Sequence, residues 1–135
     1  MIRSRLLCHI VWTMRNRLPS VDRPAARFLN RYLRSVARQE RARVIALCIV
    51  ASHVHVLIEA EPSTQLPRLV QRFKGGSSVL INREGHTEGP GSVRWAKGYA
   101  VHSVGWRGLA AARRYVESQD TRHPEERIPD WRSDG

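Results

Sequence analysis

The segment HVHVLIEA, residues 53–60, decides the fold because its side chains alternate between two kinds. Alternation with a period of two is typical of a β-strand whose faces meet different surroundings. A slip of one residue in the pairing of this strand would exchange its two faces, so the valines fix the direction in which the histidines point. The branched apolar residues share one face and the histidines share the other: Val54, Val56 and Ile58 against His53, His55, Leu57 and Glu59.

Three more strands are predicted on either side of this segment. Runs rich in β-forming residues at 5–13, 43–51 and 98–104 have the length and composition of strands. The run at 43–51 is almost wholly apolar, as expected of a buried strand, and Ser52 is expected to mark a sharp break or bulge before the next one.

Three helices are predicted from apolar residues at helical spacing. The first spans 23–39, with Asp22 and Pro24 as start signals; the second runs from Ser63 or Thr64 to about 83; the third spans 107–119. Gly75 and Gly76 interrupt the second helix and predict a bend or a close approach there. Residues 84–93 are predicted to be a loop.

The element order β-α-β-β-α-β-α predicts an α+β fold with a ferredoxin-like (split βαβ) antiparallel sheet. Two helices are expected on one face of the sheet and the third near the other. Residues 1–120 form one predicted domain. Residues 121–135 are charged, contain two prolines and are predicted to be a flexible tail.

The composition indicates a protein that binds a polyanion. The chain has 135 residues, a net charge of +11 and a sequence pI near 11.3, with arginine supplying nearly all the positive charge. Nucleic acid phosphates are the usual partner of such a charge. No apolar run has the length of a membrane span and no signal peptide is seen, so a cytoplasmic protein is expected. Cys8 and Cys48 lie in apolar runs and are expected to be reduced, buried thiols.

His53 and His55 are candidate metal ligands. Residues two apart on a strand point the same way, roughly 6.6–7 Å apart along the chain, so two imidazoles can converge on one ion. The alternative is a pair of half-exposed strand histidines with no ligand, which is the commoner situation for an isolated pair.

Tyr115 and Gln119 are a second candidate pair. Positions four apart on a helix are neighbours on one face, so the last predicted helix can present a phenol and an amide together. The alternative is a surface tyrosine beside a solvated glutamine.

Two basic segments are candidate contacts for nucleic acid. Arg68, Arg72 and Lys74 lie on one face of the second helix, where phosphate contact competes with a merely solvated charged face. Trp95 and Lys97 follow the glycine-rich loop, where aromatic and basic side chains can engage unpaired bases; the alternative is core aromatics entering a strand.

Five segments together resemble a known family. They are CHIVWTMRNR at 8–17, SHVHVLIEA at 52–60, LVQRFKGGSS at 69–78, RWAKGYAVHSVG at 94–105 and RRYVESQ at 113–119. In this order and spacing they resemble the single-tyrosine HUH transposases of the insertion-sequence-200 type, including relatives associated with repetitive extragenic palindromes (REP). Ser52 departs from the Asn or Asp common in relatives, and Gly75-Gly76 is looser than the usual signature.

The resemblance implies a bacterial DNA transposase of a mobile element. It implies Mg²⁺ or Mn²⁺ held by His53, His55 and Gln119, and Tyr115 as the nucleophile that forms a covalent 5′-phosphotyrosine and releases a 3′-hydroxyl. Relatives act as homodimers on single-stranded DNA with hairpins, often with the tyrosine helix docked on the other subunit. No membrane and no nucleotide cofactor are implied, and the expected location is cytoplasmic, at the nucleoid.

Two other functions compete with this one. A domesticated relative would bind DNA hairpins without transposition, and an HUH replication or plasmid-transfer initiator would share the histidine pair, although its usual greater length disfavours it. His9, His86, His102 and His123 have no partner spacing and are predicted to be structural or surface residues.

Overall fold

A four-stranded antiparallel sheet forms the centre of the computed structural model, which describes residues 5–88 and 93–132. The strands are β1 (Leu6–Thr13), β2 (Ala42–Val50), β3 (His53–Ala60) and β4 (Ala100–Val104), in the order β2-β3-β1-β4. β3 pairs with β2 on one side and β1 on the other, and β1 also pairs with β4. This is the predicted split βαβ arrangement, which is therefore confirmed.

The helices lie on both faces of the sheet, as predicted. α1 (Arg23–Gln39) begins at Asp22, whose carboxylate accepts a hydrogen bond from Ala25 N at 3.1 Å. The second helical segment consists of α2 (Leu66–Gln71), a π-helical turn (Arg72–Gly76) and α3 (Ser77–Glu84). α4 (Leu109–Glu117) and the short α5 (Gln119–Arg122) contact β2, and α4 also contacts β3. No helix in the described ranges is both long and apolar enough to cross a membrane.

The core lies between the sheet and the first two helical segments. Trp12 and Val54 are paired across β1 and β3, both are buried, and the Trp12 ring stacks on Phe73 with 5.8 Å between centroids. Because side chains alternate along a strand, the neighbours Thr13, His53 and His55 point to the opposite face. That second face is the one on which α4 lies.

The glycine pair in the second helix combines a π-helical turn with a close helix contact. A β-carbon at Gly76 would collide with the hydroxyl of Tyr32 on α1, whereas one at Gly75 would meet nothing within 4 Å. The Tyr32 hydroxyl donates a hydrogen bond to Arg72 O at 3.1 Å, and its ring stacks on Phe28. These contacts hold the tyrosine in place, and they confirm the close approach predicted there.

The residues after α5 pack against the sheet, where the sequence predicts a flexible tail. Ile128 and Trp131 are buried, Arg127 bridges Val50, and Arg132 forms an ion pair with Asp120 at 3.0 Å. Two apolar residues separated by proline and charged residues have neither helix nor strand periodicity, so their burial leaves no pattern in the sequence. Residues 133–135, like 89–92 of the predicted loop, lie outside the described residues.

Replacing Gly76 with alanine should destabilise the protein by about 1–3 kcal/mol, because the added methyl group overpacks the contact with Tyr32. Gly75→Ala is the matched control and should be neutral or stabilising by up to about 1 kcal/mol, since alanine favours the helix and meets no neighbour. Urea unfolding of both variants measures the difference. Equal stabilities would show that the helices do not pack as described.

Candidate active site

The two strand histidines lie side by side on the face of the sheet that carries α4. His53 is 7% exposed and His55 is 6% exposed, and their ring centroids are 5.0 Å apart at an interplanar angle of 70°. The pairing of β3 with β1 and β2 fixes this direction, because a register slip would bring the valines to this face.

Each imidazole has one ring nitrogen engaged by a neighbouring side chain. Nδ1 of His53 lies 3.0 Å from Ser52 Oγ, and Nδ1 of His55 lies 2.9 Å from Nε2 of His9 on β1. A neutral imidazole has one donor and one acceptor nitrogen, so Nδ1–H donation leaves the Nε2 lone pair of each ring for a ligand. Ser52 thus supplies a hydroxyl partner where relatives are expected to have Asn or Asp.

The surroundings of the pair keep both imidazoles uncharged. Burial, together with smaller charge repulsion from His53, His9 and His123, lowers the pKa of His55 to about 3. Burial also lowers the pKa of His53, against the opposing effect of the Glu126 carboxylate. At neutral pH both rings are therefore in the form that binds metal ions.

Tyr115 of the same chain lies next to the histidines. Its ring centroid is 6.1 Å from that of His55 and 5.8 Å from that of His9, with the rings nearly perpendicular. The side chain is 42% exposed, and the Arg122 guanidinium lies 4.9 Å above its ring. The buried Val116 anchors α4, so Tyr115, the residue before it, is held at the surface beside the histidines.

Gln119 lies one turn beyond Tyr115 and is buried, with 2% of its surface exposed. Its Nε2 donates a hydrogen bond to Tyr115 O at 2.9 Å. The amide nitrogen is thereby committed to the helix backbone, and Oε1 is the atom that a metal ion would use. The contact joins the amide to the backbone of Tyr115, and α4 ends at Glu117, so Gln119 begins α5 and does not continue the predicted helix 107–119.

The basic residues of the second helix do not join this site. Arg68 and Arg72 pair with Glu40 at 3.1 and 2.8 Å, and Arg72 also donates to Gln39 at 2.6 Å. Glu40 directly precedes the end of β2 that pairs with Ala60, so it lies at the far end of β3 from His53. The two arginines share one carboxylate, so the group keeps a net positive charge. They are therefore candidates for a separate contact with DNA.

The segment 95–98 lies at the histidine end of the sheet. Trp95 bridges Met14, the residue after the one that pairs with His53. Its indole Nε1 donates to Ser77 Oγ at 3.0 Å, and Lys74 Nζ donates to the carbonyls of Ala96 and Gly98 at 2.7 and 2.6 Å. Lys74 and Trp95 are therefore engaged in holding this segment, whereas Lys97 is exposed at its surface.

Two histidines that the sequence assigns to structural or surface positions adjoin the site. His9 hydrogen-bonds His55, and the ring of His123 meets that of His53 at a centroid distance of 5.3 Å. The position of His9 follows from the register of β1, in which it faces Leu57, two residues from His55 on the same face. Strand pairing would have revealed it, and sequence spacing does not.

Comparison with known proteins identifies the family. Residues 2–119 match the family described as "Transposase IS200 like". The chain belongs to this family. The resemblance drawn from the five motifs is thereby confirmed, and with it the membership of a family of DNA-cleaving enzymes.

Relatives of this IS200-like chain cover most of its length. This chain is 28% identical over 114 residues to the ISDra2 transposase TnpA of Deinococcus radiodurans. The match covers 82% of this chain and 81% of the relative. A crystal structure of a Deinococcus radiodurans R1 protein assigned as a transposase is similar, with a TM-score of 0.67, 27% identity and coverage of 87% of this chain and 93% of the other. A REP-associated tyrosine transposase bound to a REP hairpin shares the fold, with a TM-score of 0.66, 13% identity and coverage of 90% and 70%.

The buried histidines predict that the metal-free protein loses stability below neutral pH. The unfolded chain protonates histidine near pH 6.5, whereas folded His55 resists protonation down to about pH 3. The stabilisation is therefore complete above pH 6.5 and declines as the pH falls towards 3, by up to about 1.4 kcal/mol per pH unit for one such group. Urea unfolding in EDTA between pH 7.5 and 5 measures this slope. It should be shallower in His55→Gln, and an unchanged slope would contradict the assignment.

Removing the partner of His55 should weaken the binding of Mn²⁺, for which His55 is a predicted ligand. His9→Leu keeps the side-chain bulk but loses the acceptor for His55 Nδ1, so Mn²⁺ affinity should fall about 10- to 100-fold. His9→Gln retains an acceptor and should restore part of the affinity. His86→Leu is the control, because His86 stacks on Phe28 of α1 on the other face of the sheet, and it should bind Mn²⁺ like the unchanged chain. Equal affinities for both leucine variants, measured by isothermal titration calorimetry, would exclude the positioning role.

Proposed function

We propose that this chain is a metal-dependent single-tyrosine transposase that cleaves and rejoins single-stranded DNA at hairpin-marked ends. The observation that carries the proposal is the Tyr115 ring, which lies 6.1 Å from the ring of His55 within one chain. The half-exposed phenol is accessible to a phosphate, and the two buried imidazoles lie beside it. The family membership of the chain supports the same reaction.

The residues around the histidine pair fit a divalent cation. Both imidazoles are neutral, both have Nδ1 engaged, and the amide oxygen of Gln119 adds an oxygen donor. We propose His53, His55 and Gln119 as holders of Mg²⁺ or Mn²⁺. Such an ion, when bound, would neutralise charge that develops on the scissile phosphate.

The protein's own part in the reaction is to position a nucleophile. The Tyr115 Oη attacks the phosphorus, a tyrosine–phosphate bond forms, and the bond to the 3′ oxygen breaks to leave a 3′-hydroxyl. The electron pair of the broken bond stays on the leaving oxygen, which takes up a proton while the Tyr115 hydroxyl gives up its own, so the protons balance. Attack of a 3′-hydroxyl on the 5′-phosphotyrosine reverses these steps and joins two strands, so no nucleotide cofactor is required.

Arg122 supplies positive charge next to the nucleophile. Its guanidinium lies 4.9 Å from the centre of the Tyr115 ring, within reach of a phosphate brought to the phenol. Guanidinium groups pair well with phosphate oxygens, so Arg122 would orient the scissile phosphate and offset its charge. Lys97, exposed at the histidine end of the sheet, is proposed as a further contact with the strand.

The tyrosine acts in the subunit that carries its histidines. Because Tyr115, His53 and His55 meet within one chain, the site does not need a second copy to bring the phenol to the imidazoles. A homodimer, which the resemblance to relatives implies, would then serve to hold two DNA ends rather than to complete each site.

Hairpin DNA is the proposed partner. The similar REP-associated transposase is bound to a REP hairpin, and the net charge of +11 on this chain suits a nucleic acid ligand. Arg68 and Arg72, which lie far from the histidines, are proposed to contact the backbone of the hairpin.

A covalent-adduct assay tests the reaction. A labelled single-stranded oligonucleotide that carries an imperfect palindrome and its flank from the DNA beside this gene is incubated with the protein and Mn²⁺. The expected product is a labelled protein band that resists denaturing detergent. Tyr115→Phe should abolish this band and leave DNA binding intact, because only the hydroxyl is lost.

The matched control is Tyr99→Phe. Tyr99 is also 42% exposed but is not placed beside the histidines, so its variant should form the adduct at the normal rate. DNA binding with no Tyr115-dependent adduct would instead identify a hairpin-binding relative that has lost the reaction.

A further inference from the structure

A second group of possible metal ligands lies beside His53. It consists of His123, Glu125 and Glu126, whose ligand atoms all lie within 4.8 Å of one another. The ring of His123 meets that of His53 edge to face, with 5.3 Å between centroids. A carboxylate oxygen of Glu126 lies within 4.8 Å of a ring nitrogen of His123, so Glu126 reaches the neighbourhood of His53 through His123. The group therefore adjoins the histidine pair.

The backbone holds this turn against the start of β3. Glu126 O accepts a hydrogen bond from Ala51 N at 2.9 Å, two residues before His53, and Arg127 bridges Val50. Ile128 and Trp131 are buried in the core beyond it. Their burial fixes the turn in place, so His123 and Glu126 are presented to His53 by folded structure.

The burial and hydrogen bonding of His53 indicate an ion between His53 and the group of His123. His53 is more than nine-tenths buried, and Ser52 occupies its Nδ1. Nε2 is then the nitrogen left to bind an ion, on a ring that contacts His123.

The three proposed ligands carry no negative charge, so a carboxylate ligand would strengthen the binding of a divalent cation. His53, His55 and Gln119 are all neutral donors, while Mg²⁺ and Mn²⁺ prefer oxygen ligands and carboxylates above all. A dication would also enter a protein that already carries a net charge of +11. One carboxylate at the ion would lower that electrostatic cost.

We propose that Glu126 and His123 complete the divalent-cation site that begins with His53. The C-terminal turn thus supplies ligands in addition to the tyrosine helix. Glu125, whose side chain is 70% exposed, lies at the outer side of the group and contributes charge only. This proposal rests on the proposed function and specifies the metal site of that same reaction.

Titration of the full chain with Mn²⁺ alone, without DNA, tests the proposal. Calorimetry or the electron paramagnetic resonance signal of free Mn²⁺ gives the affinity. Glu126→Gln and His123→Asn should each weaken Mn²⁺ binding about tenfold or more. Glu84→Gln is the control, because it removes the same charge from a carboxylate that also pairs with a histidine. That histidine, His86, lies on the other face of the sheet.

A second measurement locates the ion. Bound Mn²⁺ should broaden the imidazole proton resonances of His123 and leave those of His86 sharp. Circular dichroism and metal-free unfolding of each variant verify that it folds, and Glu126→Asp should keep part of the affinity if Glu126→Gln proves unstable.

The outcomes separate this inference from the proposed function. Unchanged Mn²⁺ affinity in Glu126→Gln and His123→Asn, with loss of binding in Gln119→Ala, would overturn the inference while the Tyr115 adduct still formed. Absence of Mn²⁺ binding by the unchanged chain would overturn it as well. Failure of the adduct alone, with Mn²⁺ binding that depends on Glu126, would overturn the transposase reaction and leave the metal site standing.

Discussion

The pairing of β3 between β1 and β2 is the constraint on which the rest of the structure depends. Val54 and Val56 are fully buried on the face that packs against α1 and the second helical segment, and β1 and β2 pair with β3 in the register that places them there. The free energy of burying these valines fixes the register, and the register fixes the histidines. The direction of the two imidazoles is therefore set by the core on the other side of the sheet.

The same burial makes the histidines suitable for their proposed role. Removed from water, each imidazole stays neutral, and each has one hydrogen-bonding neighbour that leaves Nε2 available. The neighbours come from different places, His9 from β1 and Ser52 from the bend before β3. A site of this kind depends on sheet pairing as much as on the two residues of the motif.

The second face of the sheet is completed by the last third of the chain. α4 brings Tyr115 over His55, and the residues after α5 return to pair with Val50 and bury Trp131. The helix covers the histidines from one side and the turn that carries His123 approaches from another. The phenol remains half-exposed between the buried imidazoles and solvent, which is where a strand of DNA can reach it.

The sequence by itself determined the strands, most of the helical residues and the common face of His53 and His55, because these follow from local periodicity; the element order then indicated the split βαβ sheet. Only the tertiary structure decided what depends on contacts between distant segments. It placed His9 and His123 at the site. It engaged four predicted DNA contacts within the protein: Lys74 with backbone carbonyls, Trp95 with Ser77, and Arg68 and Arg72 with Glu40. It also packed the C-terminal residues that the sequence predicts to be flexible. The physical reason is that burial and hydrogen bonding between segments far apart in the chain leave no period in the sequence, whereas an amphipathic strand or helix does.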